Sequence, residues 1–483
     1  MQRSFKYNGI IASLIGLGLG IISLLVYAIF DFPYAFLIPI LGFMLLFALL
    51  RLDKFAILIG ALAPLSINVD DVGAGLGMAF PTEPLIILLF ALLIFYYLKH
   101  FTIPLELIKN PMVLLVLAYI LWLWISSIFS VQPWVSFKFA FSRTWYIVVF
   151  FFGGLWWFRK QSNIRFFLIW QVVFTVALAL YTIIKHAEFG FVRGASYGIS
   201  WPFFPDHGMY AACLAFAIPI LCIFIFNAKQ FNLSKIGSGF IIGAFATLLF
   251  AIVTSYTRAT WLSLVAALAV YFILYLKIKF RYILIALVLI GSIGLAKQDQ
   301  ILYSLSANKQ GSSDELEGHV KSVSNITTDP SNMERFNRWS CALRMAEDKP
   351  FFGFGPGTFV FEYGAYQKSN ELTIISTFFG ELGDAHSEYF SALAEMGYPG
   401  MILWAAIFLY SVALGFKVYY GSKNRQIRNT ALIALLALIT YYVHAFLNNY
   451  SQYDKVAVPL WCFLSILVCL DLYSKNQARV EQE

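Results

Sequence analysis

Charge is scarce in this sequence. Asp, Glu, Lys and Arg together make up 12% of 483 residues, about half of the roughly 25% usual in soluble domains. A soluble fold of this length could not cover its surface with so few polar groups. Cysteine is nearly absent, at 5 residues, which excludes a disulfide scaffold. Cys213, Cys222, Cys341, Cys462 and Cys469 show no CxxC spacing and read as small buried apolar residues. The 6 histidines, His100, His186, His207, His319, His386 and His444, contain no HxxxH or HExxH pattern, and no DxD stands near an apolar run. Neither a metal centre nor a metal-dependent nucleotide-sugar enzyme is suggested. The chain has no GxxxxGK[ST] loop, so ATP-driven transport lacks support. What is abundant is apolar. Hydrophobic residues make up 60% and mean hydropathy is +0.75, which excludes disorder and defines an all-α polytopic membrane protein. The 27 Tyr and 12 Trp suit the two bilayer interfaces.

Apolar segments run at about 8–30, 34–50, 55–68, 84–98, 112–130, 139–158, 164–185, 208–227, 236–256, 260–276, 281–296, 400–416, 430–447 and 457–473. A helix needs about 20 residues to cross a bilayer. Segments 55–68 and 84–98 fall short and could be tilted or re-entrant, so the expectation is 12–14 transmembrane helices. The first reads as an uncleaved signal anchor. With the N-terminus cytoplasmic, 20 of the 34 Lys and Arg fall on inside stretches, 6 fall on short outside stretches, and the other 8 lie in one long loop. That bias puts both termini in the cytoplasm. Three regions follow: an N-terminal bundle over 1–296, a large external loop over 297–385, and the last spans over 386–483.

The long loop opens with low-complexity sequence at 310–319. It continues with an amphipathic helix near 332–348 (NMERFNRWSCALRMAED) and a glycine-rich turn at 351–359 (FFGFGPGTF), where glycine permits tight backbone turns. Asp384 is placed to cap a short helix beginning near His386, and Pro399-Gly400 to break that helix from the next span. His386 then sits near the outer interface, at the level of a lipid-linked pyrophosphate. It could take a hydroxyl proton near neutral pH or make a structural hydrogen bond. Arg258, between two apolar segments, is either a snorkelling anchor or an anion site. Arg193 is either a plain loop residue or its companion, since two guanidiniums on one face would bind a diphosphate bidentately.

At these residues the chain resembles the O-antigen ligase and O-antigen polymerase superfamily of bacterial membrane glycosyltransferases. The ligase pattern is His, then Asn, Ser or Gln, nine residues, Gly, two residues, then Gly, Thr or Tyr. Here it reads His386-Ser387, nine residues, Gly397, two residues, Gly400. A second pattern, Arg, three residues, Leu, matches Arg258 to Leu262. Arg193 fits an expected earlier external Arg by place, and 337–359 resembles the Trp-plus-glycine-turn segment of the family's loop. The resemblance covers roughly 160–450 and implies transfer of a glycan from undecaprenyl pyrophosphate to an acceptor hydroxyl on a glycolipid, a growing glycan or a protein. The reaction would occur on the periplasmic face of the inner membrane, with no metal, cofactor or nucleic acid. His386 would be catalytic, Arg193 and Arg258 would bind pyrophosphate, and Arg335, Arg338, Glu388 and His207 are further candidates. A polymerase, a protein O-oligosaccharyltransferase and, in another class, a flippase or transporter are the alternatives.

Overall fold

The computed structural model describes residues 47–48, 50–69, 77–100, 105–231, 234–278, 330–369, 371–373 and 383–480, and a few isolated positions. The expected spans at 8–30 and 281–296, most of that at 34–50, and the loop up to 329 lie outside the described residues.

The described chain is almost wholly helical. Helix α1 (Leu52–Leu62) rises only about 16 Å, too little to cross a bilayer. It runs into a 3-10 turn and a hairpin of β1 (Ile67–Val69) and β2 (Met78–Phe80), paired antiparallel with Asn68 opposite Ala79. Helix α2 (Thr82–His100) follows. Next come α3 (Pro111–Ile128), α4 (Pro133–Trp157, with a π-helical stretch at Ile147–Phe152), α5 (Gln161–Ala187), α6 (His207–Phe226), α7 (Lys235–Thr254) and α8 (Arg258–Tyr275). The loop helix α9 (Pro330–Asp348) is followed by α10 (Glu388–Gly421), α11 (Arg425–Leu447) and α12 (Asp454–Val480). Among the described residues, nine helices are long and apolar enough to span a membrane: α3 to α8 and α10 to α12. They coincide with nine of the segments expected above.

Side-chain oxygens start several of these helices. Asn110 accepts from Met112 N, Asp206 from Met209 N, Ser234 from Gly237 N and Asn424 from Gln426 N, each satisfying an orphan N–H of a first turn. Helices α6, α11 and α12 are buried around most of their surface, whereas α7 and α8 expose most of theirs. Helix α11 packs on α6, α8 and α10. Small residues allow the approach: a Cβ on Gly415 of α10 would lie 2.9 Å from Leu435 Cδ1 of α11.

Two buried charge groups tie distant elements together. Asp454, at the start of α12, accepts from Ser66 Oγ and Thr82 Oγ1, both at 2.6 Å, and pairs with Lys455 at 3.1 Å. Lys455 also donates to Asn68 at 2.9 Å, so the hairpin is pinned to the last helix. Glu388, at the start of α10, pairs with Arg143 of α4 at 3.2 Å. Arg143 in turn donates to Tyr119 of α3 at 2.6 Å. Both groups are satisfied from all sides, as a low-dielectric interior requires.

Two local expectations are corrected. The N-cap of α10 is Ser387, which accepts from Phe390 N, because Asp384 is turned onto His386. The break in α10 falls at Gly397 (φ +68°) rather than at Pro399-Gly400. A Cβ there would lie 2.2 Å from Phe351 O, so only glycine lets the 351–359 turn close against the end of the short helix. The freed carbonyls are capped by that turn and by α3: Phe354 N donates to Ala394 O, Gly355 N to Glu395 O, and Trp122 Nε1 to Met396 O. Pro399 then occupies the first turn of the following helix, where no N–H is needed.

Candidate functional site

A cavity of about 1080 Å³ gathers residues from segments far apart in sequence. The α5–α6 connection contributes Arg193, Tyr197, Asp206 and His207, and the α7–α8 turn contributes Tyr256, Thr257 and Arg258. Helix α9 adds Arg335, Arg338 and Trp339. Gly383, Asp384 and His386 come from the strip before α10, with Ser391 and Glu395 on its first turns, and Asn448, Asn449 and Tyr450 from the α11–α12 connection. These connections therefore share one end of the helix bundle.

Local chemistry explains how each wall is held. Tyr256 adopts a left-handed backbone (φ +54°) that turns α7 into α8, and its hydroxyl donates to Phe191 O at 2.9 Å. That bond ties the Arg258 turn to the Arg193 loop. Thr257 Oγ1 donates to His207 O at 3.3 Å, joining the same turn to α6. Asp206 caps α6, accepts from the Tyr450 hydroxyl, and lies 3.2 Å from His207 Nδ1. Burial works against the Asp206 carboxylate, but His207, Tyr450 and the Gly208 amide outweigh it and hold its pKa below the usual range. Tyr450 also approaches Asn448, which donates to His444 Nδ1 at 3.1 Å, and His444 Nε2 reaches Thr260 Oγ1 at 3.2 Å. A polar line thus runs from the cavity wall into the bundle.

His386, also on the cavity wall, has a left-handed conformation (φ +47°) of the kind that collects at functional sites. Its backbone N–H donates to Asp384 Oδ1 at 2.9 Å, and its ring Nδ1 lies 3.2 Å from the same oxygen. This contact favours the tautomer with the proton on Nδ1, leaving Nε2 to accept. Enclosure, with the charges of Arg335 and Arg338, outweighs Asp384 and Glu334 and lowers the imidazole pKa below its ordinary 6.5.

Of the residues expected from sequence, His386, Arg193, Arg258, Arg335, Arg338 and His207 all line this cavity. Glu388 does not. It points into the bundle, where it accepts from Tyr441, the Ser451 amide and hydroxyl, and Arg143. Glu395, the strip 448–450 and Gly383 also line the cavity and were not expected from sequence. The polar run NNYSQYD at 448–454, set between two apolar spans, is a legible signal for the second of these. Glu395 is 94% buried and accepts from Phe359 N at 3.2 Å, and nothing in its spacing foretold that bond.

A polytopic α-helical bundle with a cationic cavity at one end defines a class of multi-pass membrane protein. Residues 243–405 match the family model described as O-Antigen ligase. That stretch, about a third of the chain, is similar to the O-antigen ligase family. It includes Arg258, Arg335, Arg338 and His386, whereas Arg193 and His207 precede it. No curated protein matches the chain.

Proposed function

We propose that the protein transfers a glycan from undecaprenyl pyrophosphate to an acceptor hydroxyl at the periplasmic face of the bacterial inner membrane, in an O-antigen ligase type of reaction. The observation that carries this reading is that His386, Arg193 and Arg258 line a single cavity. Arg193 and Arg258 would hold the diphosphate through bidentate donors, and Arg335 and His207 line the same cavity. His386 Nε2 would take the proton of the acceptor hydroxyl while the oxygen attacks the anomeric carbon of the donor sugar. The bond from that carbon to the phosphate oxygen breaks, its electron pair leaves on the diphosphate, and configuration inverts. The guanidiniums would stabilise the departing charge without a metal. The positive-inside bias of the sequence supports placing the cavity end outside.

His386→Ala tests the reading. Purified protein in nanodiscs, given a glycan on undecaprenyl pyrophosphate and a set of acceptors, is expected to lose transfer while folding normally. Unchanged transfer overturns it. A polymerase or a protein O-oligosaccharyltransferase would use the same site, and acceptor choice with product length separates them: one addition for a ligase, a ladder for a polymerase. A flippase or transporter is less favoured because the candidate charges cluster at one end of the bundle instead of across it.

A further inference from the structure

Arg338 lines the same cavity as the arginines assigned to the diphosphate, but its guanidinium is engaged with Glu334 and the Asp384 carbonyl. Its side chain is 6% exposed. Nε donates to Glu334 Oε1 at 2.8 Å, one turn back on α9, and Nη1 donates to the backbone carbonyl of Asp384 at 3.0 Å. The plane rests on the Tyr363 ring, 4.7 Å from its centroid. Glu334 is itself held by Thr373 at 3.0 Å and by Ser376. The neighbouring Gly383 has no room for a side chain, since a Cβ there would fall 1.4 Å from Arg338 Nη1. The next residue, Asp384, receives both the backbone N–H and the ring edge of His386. The contacts form one chain, Glu334 to Arg338 to Asp384 to His386, running from the loop helix to the imidazole.

We propose that Arg338 is a positioning residue, which fixes the Asp384–His386 pair at the cavity wall and takes no part in gripping the diphosphate. This rests on the reading of His386 given above. An arginine suits the task because its rigid fork addresses a carboxylate and a carbonyl at once. A lysine offers a single point charge. Burial also sets it apart from Arg193 and Arg258, which are half-buried. The charged and titratable groups around His386 are Asp384 on its own strip, Glu334, Arg335 and Arg338 on α9, Tyr450 and Tyr453 on the α11–α12 connection, and Asp206, His207, Arg193, Arg258 and Glu395 on the other walls. Losing Arg338 removes a nearby positive charge and leaves the Glu334 carboxylate without its ion pair, so the imidazole should titrate at higher pH.

The test uses the full chain in nanodiscs with carbon-13-labelled histidine, the His386 signal being assigned by its loss in His386→Gln. Farnesyl pyrophosphate serves as the diphosphate probe. Arg338→Gln is expected to shift the His386 titration upward and to cut glycan transfer about a hundredfold, the scale of a 1 Å misplacement of a catalytic group. Probe affinity should stay within about twofold, while Arg258→Gln should weaken it tenfold or more, the loss of one charge-assisted contact. Should Arg338→Gln fail to accumulate, Arg338→Lys, which keeps the charge opposite Glu334 but not the fork, is expected to lose transfer with probe affinity kept and with the His386 titration nearer that of wild type. Weakening of the probe to the level of Arg258→Gln in either Arg338 variant overturns the assignment, as does an unmoved His386 titration in Arg338→Gln. If His386→Gln instead retains transfer, the catalytic reading fails, and the titration still decides whether Arg338 governs the ring.

Discussion

Replacing Glu388 with alanine should cost stability and leave the cavity chemistry without a missing partner. Four hydrogen bonds converge on this carboxylate: Tyr441 Oη at 2.6 Å and Ser451 N at 2.6 Å on Oε1, with Ser451 Oγ at 2.7 Å and Arg143 Nη2 at 3.2 Å on Oε2. Its side chain is 2% exposed and that of Arg143 is 8% exposed. Truncation therefore strands a buried guanidinium, whose remaining partners, Tyr119 and Ser451, are neutral. Breaking a buried pair in this way costs about 3–5 kcal/mol, roughly two to four orders of magnitude in the folded-to-unfolded ratio. The assay is unfolding of the purified protein in mixed detergent micelles, followed by tryptophan fluorescence. Arg143→Met combined with Glu388→Met should recover most of the loss, because an apolar pair of similar volume removes both desolvated charges. Wild-type stability in Glu388→Ala together with abolished transfer would refute the argument and move Glu388 into the reaction itself.

Other outcomes follow from the same geometry. Arg258→Lys should lower transfer tenfold or more despite keeping the charge, since an ammonium does not reproduce a bidentate fork; recovery of wild-type rate with lysine would show that charge alone suffices. The acid limb of kcat/KM should have its midpoint below pH 6.5, because His386 is held below that value and loses its accepting nitrogen only as pH falls through the lowered pKa. A limb at or above pH 6.5 would contradict the lowering. Gly397→Ala should destabilise the fold by about 1–3 kcal/mol from the positive φ alone, with more from the contact at Phe351 O, and a melting curve unchanged from wild type would refute the strain.

Nine spans were legible because a bilayer-length run of apolar residues leaves few alternatives. The run at 55–68 was short of a span by the same rule, but its ending in a hairpin was not legible, because the partner strand, 78–80, and the anchor, Asp454, lie elsewhere in the chain. His386 and Arg258 stood out because each is a polar residue at the edge of an apolar segment within a spaced pattern. That Arg338 faces the Asp384 carbonyl while Glu388 faces Arg143 was not legible, because both depend on how α9 and α4 meet α10 in space. The position of the helix break was missed for a related reason. Proline marks a boundary in sequence, but the conformation at Gly397 is dictated by the turn packed against it.

The most direct measurement is a structure of the protein in nanodiscs with undecaprenyl pyrophosphate bound. The account expects the diphosphate between Arg193 and Arg258, with guanidinium nitrogens about 2.7–2.9 Å from its oxygens and His386 Nε2 facing the place where the sugar would join. A diphosphate seated outside this cavity, or at the opposite end of the bundle, would contradict it.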